Sequence, residues 1–285
     1  MKTKVLVTGA DGQLAQTIKA LYSDNNEGIE FFFVNKNELD ITNLTAVSNL
    51  FSNIKYDYCV NCAAYTNVEQ AEECTDLAYN INAEAAKYLA VACKKNKTIL
   101  IHISTDYVFD GKKRSPYLET DKTNPINQYG KSKLKGEQYI STILKEHFII
   151  RTSWLYSSFG KNFVKTITKK IKDNADLKIT TAETGTPTSC TDLSCFIYTI
   201  IKTKSNNYGL YHFSNEGQCT WYDLAVEIAK NLNSYNEKKL IPIDGFKTKA
   251  KRPEYSVMSK DKVRLNFDFF PNNWIDALAL TLKAF

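Results

Sequence analysis

A tyrosine and a lysine four residues apart, Tyr129 and Lys133, have the side chains needed for proton transfer at a carbonyl group. They stand at the start of a predicted helix, where this spacing places both side chains on one face. Hydride reduction of a ketone builds negative charge on its oxygen, and a tyrosine hydroxyl can protonate that oxygen. The lysine ammonium would lower the tyrosine pKa, ordinarily near ~10. Thr105 would hold the oxygen from the other side.

The spacing alone is weak, because 17 Tyr and 33 Lys predict roughly two such pairs by chance. Three occur: Tyr129/Lys133, Tyr198/Lys202 and Tyr235/Lys239. Tyr198 lies in the apolar stretch FIYTII, and Tyr235 lies in the polar loop NSYNEKK. Tyr129 instead follows a predicted strand that ends in Ser104-Thr105, and ligands of open α/β sheets bind at the carboxyl ends of strands. The alternative is that the pair has no catalytic role, with Tyr129 an ordinary tyrosine near the start of a helix and Lys133 an exposed lysine.

Strands and helices alternate through the first half of the chain. β-branched and aromatic runs predict strands at 4–8, 30–34, 58–61, 99–103 and 148–151. Apolar residues at three- and four-residue spacing predict helices at 12–22, 43–53, 76–95 and 129–146. This order predicts an α/β fold with a Rossmann-like, doubly wound parallel sheet.

The second half alternates less regularly. It contains predicted helices at 160–172 and 192–203, a strand at 209–214, a helix opened by the capping box Thr220/Asp223, and a last helix near 274–285. We expect residues 1–155 to form an NAD(P)-binding Rossmann domain. Residues 156–285 would form a smaller substrate-binding lobe, with some elements returning to the sheet.

The first strand runs into a glycine turn that is typical of nucleotide binding. Gly9 permits positive φ, Gly12 permits close approach of a pyrophosphate to the helix N-terminus, and Ala15 permits close packing of helix on strand. The spacing of three and three, with Ala in the third place, favours the short-chain dehydrogenase type of site. A purely structural turn is the alternative.

Residues after the second and third strands would contact the cofactor. Neutral Asn35 and cationic Lys36 stand where an acidic residue would favour NAD, so NADP(H) is preferred and NAD(H) is the alternative. Both residues could instead be ordinary turn residues. Asp40, beside Ile41, could cap a helix or contact adenine, and the small side chains in Ala63-Ala64-Tyr65-Thr66 leave space for a flat ring.

Composition excludes several classes of protein. The 285 residues, 43% hydrophobic and 24% charged, are ordinary for a globular enzyme, and four scattered Arg within a net charge of +6 argue against a nucleic-acid surface. No apolar run is long enough for a membrane span. Seven cysteines and a start without a signal segment predict a cytoplasmic protein. Cys59 and Cys62 are expected to pack on opposite faces of a strand.

Several longer segments resemble one family. They are GADGQLA (9–15), NELDITN (37–43), VNCAAYTNVEQAE (60–72), STDYVFDG (104–111), NQYGKSKLKGE (127–137), RTSWLY (151–156) and GTPTS (185–189). Over nearly the whole chain the sequence resembles the extended short-chain dehydrogenases, and within them the dTDP-4-dehydrorhamnose reductases. The resemblance implies NAD(P)H-dependent reduction of the 4-keto group of dTDP-4-dehydro-β-L-rhamnose.

The resemblance also implies roles for individual residues. Thr105, Tyr129 and Lys133 would be catalytic, and Lys133 would also bind the nicotinamide ribose. The cofactor would contact Gly9, Gly12, Gln13, Leu14, Asn35, Asp40, Ile41, Ala63, Ala64, Tyr65, Thr66, Tyr129 and Lys133. Asp106 and Trp154 would face the sugar. Some family members hold magnesium through carboxylates, but Thr17 and Thr191 occupy two of those positions here, so no metal is expected.

Alternatives remain open at this point. Dehydratases of this fold carry an Asp-Glu pair where this chain has Asp106-Tyr107, which favours simple reduction. Arg252 is a candidate for the substrate pyrophosphate or an exposed loop residue, and Trp154 is a sugar contact or a core residue. Other readings are a reductase of another 4-keto-6-deoxy nucleotide sugar and a non-catalytic NADP-binding subunit. Relatives often dimerise, so a homodimer is a further expectation.

Overall fold

Six parallel strands form the central sheet in the computed structural model, which describes residues 2–23, 28–233, 236 and 238–284. Including three separate two-stranded sheets, the described residues form β1 (Thr3–Thr8), β2 (Ile29–Val34), β3 (Tyr58–Asn61), β4 (Ile99–Thr105), β5 (His147–Thr152), β6 (Leu155–Tyr156), β7 (Leu177–Thr180), β8 (Thr184–Gly185), β9 (Thr188–Ser189), β10 (Gly209–His212), β11 (Cys219–Thr220) and β12 (Leu240–Ile243). Their order in the central sheet is β2-β1-β3-β4-β5-β10. The order reverses between β1 and β3, where ligands bind in such sheets.

Helices cover both faces of this sheet. The α-helices of the described residues, including those away from the sheet, are α1 (Gln13–Tyr22), α2 (Leu44–Asn53), α3 (Val68–Ala71), α4 (Thr75–Tyr79), α5 (Ala85–Asn96), α6 (Gln128–Ile143), α7 (Phe163–Lys172), α8 (Cys190–Lys202), α9 (Trp221–Asn231), α10 (Asp261–Phe267) and α11 (Trp274–Leu282). One apolar core joins the sheet to α1 and α8, and a second joins it to α2, α5 and α6. The expected doubly wound α/β fold is therefore confirmed.

A third apolar core lies apart from the sheet. Its buried residues come from α7, β7, α9, β12, α11 and their flanks, all between Tyr156 and Leu282. The predicted capping box is present, since Thr220 accepts from the Asp223 amide and the Asp223 carboxylate accepts from that of Thr220. The strand expected at 209–214 is shorter and joins the central sheet as β10, beside β5.

The predicted helix at 76–95 is interrupted, contrary to expectation. A π-helical turn, Asn80–Glu84, separates α4 from α5. Within it, the Asn82 amide pairs with the backbone of Tyr65 and donates to the Ser132 hydroxyl on α6. Helical periodicity gives no sign of such a turn, because contacts with another helix and a loop stabilise it.

Several smaller boundaries also differ. The helix expected from 160 begins at Phe163, behind the cap residue Asn162, and the one expected from 192 begins at Cys190. The last helix ends at Leu282. Tyr235 lies outside the described residues. None of the described helices is long and apolar enough to cross a membrane.

Gly136 allows the close contact between α6 and the π-helical turn. A Cβ there would lie 2.2 Å from the Asn82 carbonyl oxygen, so Gly136→Ala must displace one of the two elements. We expect this variant to lower the free energy of unfolding by about 1–3 kcal/mol, the usual cost of overpacking. Urea denaturation measures the change. Gln138→Ala, an exposed change on the same helix, is the control, and equal stability of the two variants would contradict this prediction.

Candidate active site

A cleft of about 530 Å³ opens at the carboxyl ends of the sheet strands. Ten of the residues singled out in the sequence line it: Gly12, Gln13, Leu14, Ala64, Thr66, Thr105, Asp106, Tyr129, Lys133 and Trp154. They come from five separate segments of the chain. The fold therefore brings the glycine turn, the tyrosine and lysine pair and the RTSW segment to one place.

The remaining predicted residues lie outside this lining. Asn35 lines a neighbouring cleft together with Lys19 and Glu38. Ile41 is buried in the core against α2 and α5. Asp40 accepts hydrogen bonds from the backbone and hydroxyl of Thr42, which hold its pKa below the ordinary value, while Asn43 caps α2. Tyr65 is fixed through its backbone by Asn82.

The glycine turn leaves an unblocked helix N-terminus at the cleft. Gly9 has φ +69°, and a Cβ there would lie 2.7 Å from the Ala63 amide nitrogen, so β1 and β3 approach closely only with glycine. Gly12 is the N-cap of α1, and neither a side-chain cap nor an acidic residue occupies the first turn. The N–H groups of this turn and the helix dipole are thus available to an anion, which is what a dinucleotide pyrophosphate requires.

Three polar contacts fix the start of α6, which carries Tyr129 and Lys133. The Asn127 side chain accepts from the Gly130 amide at 2.7 Å and donates to the Lys251 carbonyl at 2.8 Å. The Glu72 carboxylate accepts from the Gln128 amide at 2.8 Å. These bonds hold the helix N-terminus between α3 and the loop that carries Lys251.

Lys133 is buried beneath the cleft, with 2% of its surface exposed. Its Nζ donates to the Ile103 carbonyl at 2.6 Å and lies 3.4 Å from His102 Nε2. Burial lowers its pKa to about 8, and the negative charge of Glu137 opposes that effect. Lys133 is therefore half deprotonated at about one pH unit above neutrality.

Tyr129 differs from expectation in its pKa. Burial raises the pKa of the phenol to about 12, Asp106 adds to the rise, and a hydrogen bond with Thr105 lowers it. The expectation that Lys133 would lower this pKa is wrong for the described state, since its Nζ is bonded to the Ile103 carbonyl instead. Tyr129 consequently stays protonated across the physiological range.

Asp106 and Thr105, which line the cleft with Tyr129, are hydrogen-bonded to each other. The Thr105 hydroxyl donates to Asp106 Oδ1 at 3.1 Å and accepts from the Tyr107 amide at 3.2 Å. Burial raises the pKa of Asp106 to about 6, against hydrogen bonds from Ser256 and Thr105. The bonds with Asp106 and the Tyr107 amide fix the Thr105 hydroxyl at the lining of the cleft.

A buried ion pair supports the floor of the cleft. Arg151 on β5 grips Glu137 on α6 with two hydrogen bonds, at 2.9 Å from Nε and 2.7 Å from Nη2. Ser104, next to Thr105, donates to the same carboxylate at 2.5 Å. Helix α6 is thereby tied to the ends of β4 and β5. Sequence reasoning missed this pair, although Arg151 and Glu137 both stand in segments that it singled out.

Trp221 is the main cleft residue that sequence reasoning missed. Its indole stacks on that of Trp154, with ring centroids 3.6 Å apart and planes 10° from parallel. Gly160 and Lys161 also line this side of the cleft. The one sequence feature that pointed towards Trp221 was the capping box, because Trp221 directly follows Thr220, the N-cap of α9.

Arg252 lies outside the cleft lining and pairs with Glu69 at 2.5 Å. Its charge still reaches the cleft, since it opposes the rise that burial causes in the pKa of Tyr107. The structure thus places Arg252 near a lining residue, already partnered by a carboxylate on α3.

A family model described as the RmlD substrate binding domain matches residues 3–285. The chain belongs to this family. It is 35% identical to a dTDP-4-dehydrorhamnose reductase of Aggregatibacter actinomycetemcomitans, over 96% of this chain and 97% of the relative. It is 34% identical to a dTDP-4-keto-6-deoxy-D-glucose reductase of Streptomyces niveus, over 93% and 91%. The crystal structure of a Bacillus anthracis dTDP-4-dehydrorhamnose reductase in complex with NADP matches with a TM-score of 0.95 at 37% identity, over 100% of both chains.

The cysteines pack as free thiols, and the described His, Cys, Asp and Glu side chains form no cluster suited to a metal ion. Cys59 packs in the core against α2 and α5, and Cys62 packs on the opposite face, so the expected placement is confirmed. All seven cysteines are free thiols. Among the described residues, no group of three or more His, Cys, Asp or Glu side chains is placed to hold a metal ion.

The Glu137 and Arg151 pair yields a stability prediction. Glu137→Gln leaves the buried guanidinium without a compensating charge, which should lower the free energy of unfolding by about 3–5 kcal/mol. Glu254→Gln is the matched control. It removes an ion pair with Arg114 whose side chains are 71% and 65% exposed, and such pairs contribute only about 0–1 kcal/mol. Urea denaturation compares the two variants, and equal losses would contradict the role given to burial.

Proposed function

We propose that this protein catalyses the NADPH-dependent reduction of the 4-keto group of dTDP-4-dehydro-β-L-rhamnose to dTDP-L-rhamnose. One observation carries the proposal. Thr105, Tyr129 and Lys133 line the same cleft as the uncapped N-terminus of α1. A proton donor and an anion-binding helix thus share one site, in a chain that matches reductases of this substrate along nearly its full length.

The cleft residues fit a dinucleotide. The turn Gly9 to Leu14 would hold the pyrophosphate, and Lys133 would bind the nicotinamide ribose, with Ala63 to Thr66 beside the rings. When bound, NADPH supplies the hydride. Asn35 and Lys19 line the neighbouring cleft and favour a 2′-phosphate there, as does Lys36, the next residue along the chain. Glu38 in the same cleft accepts from the Asn35 backbone amide at 2.8 Å and favours a free ribose hydroxyl. NAD(H) is accordingly the second cofactor of the proposal, and Asp40 and Ile41 would lie towards the adenine.

Tyr129 would act as the proton donor to the carbonyl oxygen. Its high pKa keeps the proton in place until negative charge develops on that oxygen. Thr105 would stabilise the same oxygen with a hydrogen bond, for which its hydroxyl proton must turn from Asp106 Oδ1 to the substrate. Lys133 would contribute positive charge close to the reacting group, and its burial strengthens that electrostatic effect.

The sugar nucleotide would occupy the side of the cleft formed by Asp106, Trp154 and Trp221. Asp106 offers a carboxylate to sugar hydroxyls, and the stacked indoles offer a flat apolar wall. Arg252 would bind the pyrophosphate of the substrate, which requires the phosphate to compete with Glu69 for the guanidinium. Residues 156–285 would form this substrate lobe, with β10 returned to the cofactor sheet of residues 1–155.

A second function deserves the same test because one relative carries it. The Streptomyces niveus protein is named for reduction of dTDP-4-keto-6-deoxy-D-glucose, which differs in the sugar and keeps the keto group. The residues that act on the carbonyl would serve either substrate. A non-catalytic NADP-binding subunit is disfavoured, since it has no need of Tyr129 and Lys133 in one cleft.

The setting of the protein is also part of the proposal. Seven free thiols suit a reducing compartment, which supports a cytoplasmic location. A homodimer, expected from the family resemblance, belongs to the same proposal. The partners expected are small molecules, without nucleic acid or membrane.

The central test is turnover followed by NADPH absorbance. We expect the protein to oxidise NADPH with dTDP-4-dehydro-β-L-rhamnose and Tyr129→Phe to lower kcat by about 10²–10⁴-fold, because the proton donor is lost. The Kd for NADPH should change little. Tyr198→Phe is the matched control, since Tyr198 and Lys202 have the same spacing but neither lines the cleft, and Tyr198 stacks on Tyr22 instead.

Two outcomes would overturn the assignment. An intact Tyr129→Phe enzyme with wild-type kcat would remove the proposed proton donor. A higher kcat/KM with dTDP-4-keto-6-deoxy-D-glucose than with the rhamnose precursor would transfer the function to the second candidate.

The pH dependence of reduction follows from Lys133. Reduction requires its ammonium, whose pKa is lowered to about 8, and a protonated Tyr129, whose pKa is about 12. The kcat should therefore fall as the pH rises through about 8, with Tyr129 still protonated there. A pH series of kcat at saturating NADPH and substrate measures this, and a flat profile up to pH 10 would contradict it.

A further inference from the structure

Three polar side chains form a buried row across the centre of the sheet. Thr8 on β1 stands in register with Asn61 on β3, and Asn61 stands in register with His102 on β4. Each is only 1% exposed. Strands buried on both faces are normally apolar, so a polar row inside such a sheet needs partners and a reason.

The hydrogen bonds along the row set the orientation of the Asn61 amide. The Thr8 hydroxyl donates to Asn61 Oδ1 at 2.7 Å, and the Ala63 amide donates to the same oxygen at 3.2 Å. Because a backbone N–H can only donate, the oxygen must face Ala63. The Asn61 NH₂ group then faces His102 Nδ1, at 3.0 Å.

This orientation determines which imidazole nitrogen carries the proton. Nδ1 receives the Asn61 N–H and must present its lone pair, so in the neutral ring the hydrogen is on Nε2. His102 is neutral, because burial holds its pKa well below the ordinary value. The Nε2–H points at Lys133 Nζ, 3.4 Å away.

An N–H facing an ammonium group is not a hydrogen bond. Lys133 donates one N–H to the Ile103 carbonyl, and the His102 ring offers no lone pair to a second. The other two N–H groups of the ammonium are left for the cleft, which Lys133 lines. The same Nε2–H can donate to the amine form of lysine, which it therefore favours.

We propose that His102, oriented by Asn61 and Thr8, is a positioning residue that directs the Lys133 ammonium into the cleft and weakens its hold on the proton. The proposal rests on the proposed function, since it concerns the lysine of that reaction. The row also begins beside Gly9 and bonds Ala63, so it links the glycine turn to the lysine.

Other titratable and charged groups belong to the elements packed around Lys133. Tyr129 and Glu137 lie on its own helix, Cys62 follows β3, and Arg151 on β5 pairs with Glu137. The charge of Glu137 favours the ammonium, whereas burial raises the pKa of the Cys62 thiol so far above its ordinary value that the thiol stays neutral. Among these neighbours, His102 is distinguished by an N–H that faces Nζ directly.

The tautomer of His102 is measurable without substrate. The chain has three His residues, so a two-bond ¹H–¹⁵N correlation spectrum of ¹⁵N-histidine-labelled protein is simple to assign with His102→Gln. We expect His102 to be neutral with the proton on Nε2 at pH 7. A proton on Nδ1 would overturn the proposal whatever the enzyme reduces.

The effect on Lys133 is measured by the pH profile of reduction. In Asn61→Asp the carboxylate still accepts from Thr8 and Ala63, and it also accepts from His102 Nδ1–H, which leaves Nε2 free to accept from the ammonium. In His102→Gln a neutral amide oxygen can accept instead. Both variants should shift the midpoint of the fall in kcat upward by about one pH unit, with the Kd for NADPH within about threefold of wild type.

His147→Gln is the matched control. His147 is a buried histidine at the first residue of β5, outside the cleft lining, and its ring bonds the Leu144 carbonyl. The midpoint of this variant should equal that of the wild type. A loss of stability in His102→Gln with an unmoved midpoint would show a merely structural row and overturn the proposal. Absence of turnover in the wild type would instead count against the proposed function, with the tautomer measurement still deciding the orientation of His102.

Discussion

The burial of the Lys133 ammonium, between α6 and the carboxyl end of β4, is the constraint on which the rest of this structure depends. A charge with 2% exposure needs partners within the protein. The Ile103 carbonyl supplies one, and the carboxylate of Glu137 supplies a balancing charge. Glu137 is itself buried and needs Arg151 and Ser104. The ends of β4 and β5 are thus ordered around α6 by a chain of electrostatic requirements that starts at Lys133.

Local sequence signals predicted those elements whose structure is decided locally. The first five strands, the Gly12 helix start and the Thr220/Asp223 capping box follow from apolar periodicity, glycine and capping chemistry within a few residues. The π-helical turn at Asn80–Glu84 does not, because Asn82 takes its partners from Tyr65 and from Ser132 on α6. β10 was found as a strand, but its place beside β5 depends on a connection of more than 50 residues.

The candidate site shows the same division. The sequence predicts that Tyr129 and Lys133 lie close together, because their spacing puts them on one helix face. It also predicts that Thr105 lies near them, because ligands of such sheets bind at the carboxyl ends of the strands. The pKa of Tyr129 could not be foreseen, because it depends on burial and on the neighbouring Thr105 hydroxyl and Asp106 charge. Nor could Trp221, which reaches the cleft by stacking on Trp154 from a helix 67 positions further along the chain. Cross-strand register and side-chain direction are properties of the folded sheet.

Two motifs that are separated in the sequence depend on one another at the side of the cleft lined by Trp154 and Trp221. Trp154 in RTSWLY has φ +46°, a conformation that costs a bulky residue on the order of 1–3 kcal/mol. Its carbonyl accepts from the Thr188 amide, and its ring lies where a Cβ on Gly185 would approach to 2.7 Å, so GTPTS accommodates the strained tryptophan. Stacking on Trp221 then fixes the plane of the indole. Because strain of this size persists only where the surroundings hold it, the stacked indoles are preorganised. Under the proposed function, a change at Gly185 should therefore alter substrate binding through Trp154.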